Sequence, residues 1–250
     1  MLEKHQRIER HPIFFAILIM IAASFGGLFE IAPLFTIDET VEPVEGIRPY
    51  TPLELAGRNI YIREGCYACH SQMIRRLRDE VERYGPYSIA AESQYDHPML
   101  WGSKRTGPDL ARIGGKYSDA WQVAHLIAPR KLVPQSKMPG YPFLAETPLR
   151  TDDLGLHLQA LRSTGVPYSD AQIAAATADA IGQGDPDSDE SEGFAKRYGD
   201  GVAIRDFAGD GPGLAEMDAI VAYLQMLGTL VKFNSGANSA KGANSGKKGG

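Results

Sequence analysis

One short motif constrains this 250-residue chain more than any other feature. Cys66 and Cys69 are its only cysteines, and His70 follows the second one directly. In a C-x-x-C-H pattern, each thiol can form a thioether to one vinyl group of the same porphyrin, and the histidine can bind the iron. A zinc site would need two further soft ligands, and a thioredoxin-like redox disulfide, the remaining alternative, would need a βαβ context. The motif therefore predicts one covalently bound haem c.

The N-terminal region contains one long apolar segment. Residues 12–35 carry a single charge, Glu30. A helix of this length would extend roughly 36 Å, which is enough to cross a bilayer. A signal peptide cleaved near residues 22–24 is the competing interpretation. Because the apolar residues continue as far as Phe35, the sequence favours a retained transmembrane anchor.

The charges on the two sides of this segment predict its orientation. Residues 1–11 include Lys4, Arg7 and Arg10, whereas residues 36–47 contain four acidic residues and no lysine or arginine. The positive-inside rule places the N-terminus in the cytoplasm and the remaining chain in the periplasm, at a bacterial inner membrane. Attachment of haem c outside the cytoplasm agrees with this orientation. The formal net charge of −5 gives no basic excess for binding nucleic acid.

Two segments with helical periodicity are expected to frame the haem motif. Thr51 is a candidate N-cap, and Glu54 is placed to close a capping box, so a helix is predicted from there to Gly65. Residues 214–227 have apolar side chains at helical spacing. Gly57 suits a close crossing of these two helices. The arrangement resembles the first and last helices of class I cytochromes c, and predicts a mainly α haem domain after a single N-terminal transmembrane helix.

Residues 74–84 also have the apolar spacing of an amphipathic helix. Three arginines, Arg75, Arg76 and Arg78, fall within this segment. They are candidates for contact with haem propionates or with an acidic partner. A solvated helix face is the alternative interpretation.

The second axial ligand of the iron is expected from a methionine or a histidine. Met138 is the first candidate, because Pro139 and the glycine after it hold the chain extended in a loop from which a thioether can reach the iron. Met99 is the second methionine to consider. His97 and His125 could instead form a bis-histidine site, which would lower the reduction potential.

Pro108 lies in a Gly-Pro-x-Leu sequence. In class I cytochromes c, the proline carbonyl of such a loop accepts a hydrogen bond from Nδ1 of the proximal histidine. The resemblance to those cytochromes implies this role for Pro108 toward His70. Such a bond would fix the tautomer of the imidazole and raise its basicity.

Four segments extend the resemblance to a particular family, the mono-haem cytochrome c subunit (subunit II) of cbb(3)-type cytochrome c oxidases, namely residues 95–98, 101–110, 114–119 and 136–141. The resemblance covers residues from about 10 to 232. It implies an electron-transfer subunit that has no oxygen-reducing site of its own. The implied partners are the haem–copper core subunit, a di-haem cytochrome c subunit or a soluble cytochrome c, and membrane lipid.

These features predict the order of segments along the chain: a cytoplasmic N-terminus (1–11), a transmembrane anchor (12–35), a linker (36–50), a periplasmic cytochrome c domain (51–232) and a flexible low-complexity tail (233–250). An insert is expected around residues 146–213. Within it, Thr151 and Ser169 are predicted to cap helices over 152–161 and 170–181. The acidic residues 185–192 are expected to form a loop that is solvated or steers a basic partner.

The sequence thus predicts one-electron transfer at a six-coordinate haem c. Cys66 and Cys69 would hold the porphyrin, His70 and Met138 would bind the iron, and Pro108 would orient His70. Three other functions have the same motif: the cytochrome c subunit of a nitric oxide reductase, a haem-based gas sensor with an open sixth position, and an assembly subunit whose haem is incidental.

Overall fold

Helices and their connecting loops make up the part of the chain that the computed structural model describes, residues 6, 9–35, 43–102, 104–199, 201–209 and 213–233. Within those ranges there is no β-strand, and one isolated bridge joins Pro148 to Ala215. The predicted mainly α fold is confirmed. Parts of four predicted segments lie outside the described residues: 1–5 and 7–8 of the N-terminus, 36–42 of the linker, 103, 200 and 210–212 of the cytochrome c domain, and 234–250 of the tail.

The first helix, α1, spans Pro12–Ile31 and is followed by a 3₁₀ turn over Ala32–Phe35. It has 20 residues, a mean hydropathy of 2.3 over its most apolar window, and no buried residue. By length and composition it is able to cross a membrane. The chain divides into two compact units, Met1–Pro43, which contains α1, and Val44–Gly250.

The second helix, α2, spans Pro52–Arg63 and begins with the predicted capping box. The backbone N–H of Glu54 donates to Oγ1 of Thr51 (3.2 Å), and the N–H of Thr51 donates to Oε2 of Glu54 (2.9 Å). The Glu54 carboxylate is buried, and the guanidinium of Arg48 pairs with both of its oxygens at 2.7 Å. The charge of Glu54 is therefore compensated where water is excluded.

The last helix, α11 (Glu216–Met226), crosses α2 at Gly57. A Cβ atom at Gly57 would lie 1.9 Å from the carbonyl oxygen of Ala219 and 2.8 Å from Cβ of Tyr223. The glycine therefore lets the two backbones meet, as the sequence predicted. One turn further along α2, the rings of Tyr61 and Tyr223 pack with centroids 5.6 Å apart. This crossing forms the centre of the hydrophobic core.

Short helices follow the C-x-x-C-H motif: α3 (Arg78–Tyr84), α4 (Asp119–Ile127), α5 (Pro129–Leu132) and α6 (Phe143–Glu146). The helix predicted over residues 74–84 is wrong in its first turn, because it begins only at Arg78. The reason lies in the preceding chain, where the N–H of Met73 donates to the carboxylate of Asp109 (3.0 Å) instead of to a helical carbonyl.

The region of the predicted insert is helical and packs against the core that is centred on the crossing of α2 and α11. Its helices are α7 (Leu154–Ser163), α8 (Asp170–Ala174), α9 (Ala176–Gly184) and α10 (Ser191–Tyr198). Thr51 at the start of α2 donates its hydroxyl to Oε1 of Gln183 in α9 at 2.5 Å. The last of these helices shows that residues 185–192 are only partly a loop, because α10 begins at Ser191.

Two predicted helices of the insert differ in detail from the structure. The helix expected after Thr151 begins at Leu154 and has no side-chain cap. The capping box at Ser169 is confirmed, but the predicted helix is interrupted at Ala175, so that α8 and α9 are separate. Gly182 does not end α9. A Cβ at Gly182 would lie 2.6 Å from the carbonyl oxygen of Glu190, so this glycine permits close packing of α10 on α9.

Candidate functional site

The C-x-x-C-H motif forms a tight turn directly after α2. Gly65, with φ of +70°, directs the chain out of the helix into a 3₁₀ turn over Cys66–Ala68. The backbone N–H groups of Cys69 and His70 both donate to the carbonyl of Cys66, at 3.1 Å and 2.9 Å. The two thiols are thus held on one turn, and neither forms a disulfide. Cys66 is half-buried, and burial raises the pKa of its thiol to about 11, whereas Cys69 is exposed.

The chain around His70 runs beside a second loop, residues 107–110. The N–H of Gly107 donates to the carbonyl of Cys69 (2.9 Å), and the N–H of Leu110 donates to the carbonyl of Ser71 (2.8 Å). Between these two bonds, Nδ1 of His70 lies 2.8 Å from the carbonyl oxygen of Pro108. The two predicted residues are therefore brought together.

The Pro108 contact determines which ring nitrogen of His70 carries the proton. A carbonyl oxygen only accepts hydrogen bonds, so Nδ1 must be the protonated nitrogen when the imidazole is neutral. The lone pair then lies on Nε2, where it can bind a metal ion. This is the tautomer that an iron ligand needs.

Gly107 supports the same ring from one side, a role that the sequence did not indicate. A Cβ atom at this position would lie 2.3 Å from Cε1 and 2.7 Å from Nδ1 of His70. The imidazole therefore packs directly on the backbone of Gly107. A glycine before the proline of the loop is the only sequence signal of this contact.

Met138, the predicted ligand, lies in a loop that is hydrogen-bonded to and packed against the end of α4. Met138 is half-buried and packs against the core. Its N–H donates to Oγ of Ser136 (3.2 Å), and the N–H of Tyr141 donates to the carbonyl of Leu126 (2.7 Å). A Cβ at Gly140 would lie 2.5 Å from the carbonyl oxygen of Ile127. The loop therefore has a defined position from which a thioether can be presented.

The alternative ligands have different environments. Met99 is 52% exposed, and His97 is also exposed. His125 is half-buried on α4, and its Nδ1 is buried without a hydrogen-bond partner among the described residues. Burial and the nearby charge of His70 lower the pKa of His125. Among these three alternatives, His125 is the residue whose pKa is affected by the charge of His70.

Apolar side chains on the motif and the surrounding loops remain uncovered. Exposed apolar groups of this kind mark binding grooves when they lie together. They come from the motif turn, from the loop before residue 107, and from the α4–α6 region: Tyr67, Trp101, Ile127, Leu132, Val133 and Phe143. Nδ1 of His125, which has no partner in the part of the chain that the structure describes, the single available nitrogen of His70 and these apolar groups suit a porphyrin, which is apolar over its faces and polar at its propionates.

The three arginines after the motif already have partners. Arg75 forms an ion pair with Glu80, and Arg78 pairs with Glu82 at 2.6 Å. The guanidinium of Arg76 lies over the ring of Tyr87, 4.6 Å from its centroid. These contacts favour the interpretation of a paired, solvated surface.

A family model described as cytochrome c oxidase, mono-heme subunit/FixO, matches residues 5–231. The chain belongs to this family. FixO-family membership confirms the resemblance to the mono-haem oxidase subunit, and it agrees with the presence of a single C-x-x-C-H motif. The match extends over α1, the motif, the loops that carry Pro108 and Met138, and α11. No individual curated protein matches the chain.

Proposed function

We propose that this FixO-family subunit carries one covalently bound haem c and passes single electrons toward the haem–copper core subunit of a cbb(3)-type oxidase. The observation that carries the proposal is the 2.8 Å contact between Nδ1 of His70 and the carbonyl of Pro108, directly behind the C-x-x-C-H turn. This contact supports His70 as an iron ligand, because it leaves Nε2 with the lone pair. Family membership favours the oxidase over a nitric oxide reductase subunit.

Five residues would hold and tune the cofactor. Cys66 and Cys69 would form the thioethers, His70 and Met138 would bind the iron, and Pro108 would orient His70. When bound, the haem would supply a one-electron couple whose potential is comparatively high with histidine and methionine ligands. With both of these protein ligands bound, other molecules would be kept away from the iron, which favours electron transfer over gas binding.

We further propose that α1 anchors the subunit in the bacterial inner membrane, with residues 1–11 cytoplasmic and the cytochrome c domain, 51–232, periplasmic. The transmembrane anchor (12–35), the linker (36–50) and the tail (233–250) keep their predicted roles in this proposal. The charge asymmetry around α1 supports this orientation. The electron donor would be a di-haem cytochrome c subunit or a soluble cytochrome c, and membrane lipid would surround α1.

The optical spectrum of the purified protein tests the ligand set. We expect the oxidised protein to show a weak far-red charge-transfer band from thioether to iron, and Met138→Ala to abolish it. Met99→Ala is the matched control, because Met99 is solvent-exposed and its replacement should leave the band unchanged.

Four outcomes would contradict the proposal. A wild-type protein without the band, or loss of the band in Met99→Ala, would show that Met138 is not the ligand. Carbon monoxide binding to the reduced wild-type protein would indicate an open sixth position and favour a gas sensor. Normal oxidase turnover with Met138→Ala would favour an assembly subunit with an incidental haem.

A further inference from the structure

The buried carboxylate of Asp109 lies next to the contact between His70 and Pro108. Asp109 follows Pro108 in the chain, and its side chain is 0% exposed. Its Oδ1 accepts a hydrogen bond from the N–H of Ala111 at 2.8 Å. Its Oδ2 accepts from the hydroxyl of Ser71, the residue after His70, at 2.5 Å. The carboxylate therefore joins the loop that carries Pro108 to the segment that carries His70.

Further donors complete the shell of this carboxylate. The N–H of Met73 donates to Oδ2 of Asp109 at 3.0 Å, and Nη2 of Arg105 lies 3.3 Å from the same oxygen. Both carboxylate oxygens are thus satisfied inside the protein, as a buried charge requires. The donors belong both to the segment after His70 and to the loop around Pro108. Asp109 therefore acts as a clamp between these two segments, which are 38 residues apart at Ser71 and Asp109.

Arg105 gives the clamp its compensating charge. Its Nε donates to Oγ of Ser71 (2.6 Å), so the serine hydroxyl accepts from Arg105 and donates to Asp109. Its Nη2 also donates to the carbonyl of Met73 (2.8 Å) and to Oε2 of Glu80 (2.8 Å). Glu80 is itself buried, and its hydrogen bond with Arg105 lowers the pKa of its carboxyl to about 2. Glu80 is therefore ionised at neutral pH and holds Arg105 in place.

We infer that Asp109, together with Ser71 and Arg105, positions the Pro108 carbonyl against Nδ1 of His70 and thereby tunes the reduction potential of the bound haem. The inference rests on the proposed function. Asp109 is a positioning residue, because it acts through Pro108 and Ser71 and has no hydrogen bond or ion pair of its own with His70 among the described residues.

The direction of the effect follows from the chemistry of the imidazole. A firmly held acceptor at Nδ1 makes the imidazole a more basic ligand, which stabilises the oxidised iron. Loosening the clamp would let the Pro108 carbonyl withdraw from Nδ1, so His70 would become less basic and the reduction potential would rise. A clamp with a merely structural role would change the stability of the domain and leave the potential unchanged.

Redox potentiometry of the full-length protein with its haem tests this inference. We expect Asp109→Asn and Ser71→Ala to raise the midpoint potential, with the reduced-to-oxidised ratio at a fixed potential increasing about tenfold, which for one electron is about 59 mV. Ser71→Ala removes only a hydroxyl, so it provides the measurement if Asp109→Asn does not fold. Thermal unfolding is recorded beside each potential.

Asp218→Asn is the matched control. Asp218 is also a buried carboxylate, and it accepts from the N–H groups of Ala208 and Ala215, both at 2.9 Å, at the start of α11. Within the described part of the chain, Asp218 has no hydrogen bond with the segments that carry His70 and Pro108. We expect Asp218→Asn to lower the unfolding temperature and to leave the potential unchanged.

The possible failures are distinguishable. Suppose that the wild-type protein contains covalent haem, and that Asp109→Asn and Ser71→Ala have the same midpoint potential as the wild-type protein. The inference is then wrong, and the proposed function stands. If Asp218→Asn shifts the potential as much as they do, the effect is general destabilisation and the inference is also wrong. A wild-type protein that contains no covalent haem would overturn the proposed function and this inference together.

Discussion

At the scale of single residues, the site depends on the environment of one imidazole. His70 has Pro108 at Nδ1, and the backbone of Gly107 lies against its ring. The first contact selects the tautomer, and the second limits the orientations that the ring can adopt. Under the proposed function, an iron ligand held in this way would need little reorganisation when the iron changes its redox state, as an electron carrier requires.

Gly107→Ala tests the second contact. The new Cβ would lie 2.3 Å from Cε1 of His70, so the ring or the loop must shift. Overpacking of this kind costs about 1–3 kcal/mol. We expect a lower unfolding temperature and a changed midpoint potential. Gly201→Ala is the control, because a Cβ at Gly201 meets no atom within 4 Å. Equal potentials in Gly107→Ala and the wild-type protein would show that the imidazole is not constrained by this backbone.

At the scale of elements, the crossing of α2 and α11 holds the motif in place. The helix α2 ends next to Gly65, so its position determines where the two cysteines lie. Gly57 makes the crossing possible, and Tyr61 and Tyr223 fill the space beside it. The insert adds a further support, because α9 bonds to the start of α2 through Gln183.

Gly57→Ala is predicted to separate these two helices. The added Cβ would be 1.9 Å from the carbonyl oxygen of Ala219, which belongs to rigid backbone. We expect a loss of about 3 kcal/mol in the free energy of unfolding, measured with denaturant. Gly201→Ala is the control, because a Cβ at Gly201 meets no atom within 4 Å. Alanine there should be neutral or stabilising by up to about 1 kcal/mol. Equal effects at the two positions would refute the close crossing.

At the scale of the whole molecule, the chain combines an apolar helix with a helical haem domain. None of the residues of α1 is buried within the protein, so its apolar side chains need a different apolar environment. A lipid bilayer supplies one. An anchored electron carrier remains near its oxidase, which supports the proposed location of the subunit.

Ile21→Arg tests the anchor. A charge near the middle of α1 costs about 2.5–3.5 kcal/mol during insertion, so we expect less protein in membranes after an alkaline wash. Ile13→Arg is the control, because an arginine near the helix end can extend its charge to the interface. An intact mass lacking the residues before about position 24 would show that α1 is a signal peptide that is removed, and would contradict the proposed anchor.

Local sequence was sufficient for those parts of the molecule that neighbouring residues specify. The C-x-x-C-H motif, the capping box at Thr51 and the role of Gly57 could all be inferred, because each depends on side chains within a few positions or on one steric requirement. The helical spacing of residues 214–227 likewise predicted α11, observed as Glu216–Met226.

Tertiary structure decided the features that depend on residues far apart in the chain. Ser71 and Asp109 meet across 38 positions, and Asp109 also accepts from the N–H of Met73, which keeps the chain before Arg78 out of the helix that its apolar spacing predicted. The packing of Gly107 on His70 has the same origin, because it exists only where two loops run side by side. Periodicity and capping signals reflect interactions between residues that are close in the sequence. The hydrogen-bond donors of a buried carboxylate, in contrast, come from segments that only the tertiary fold brings together.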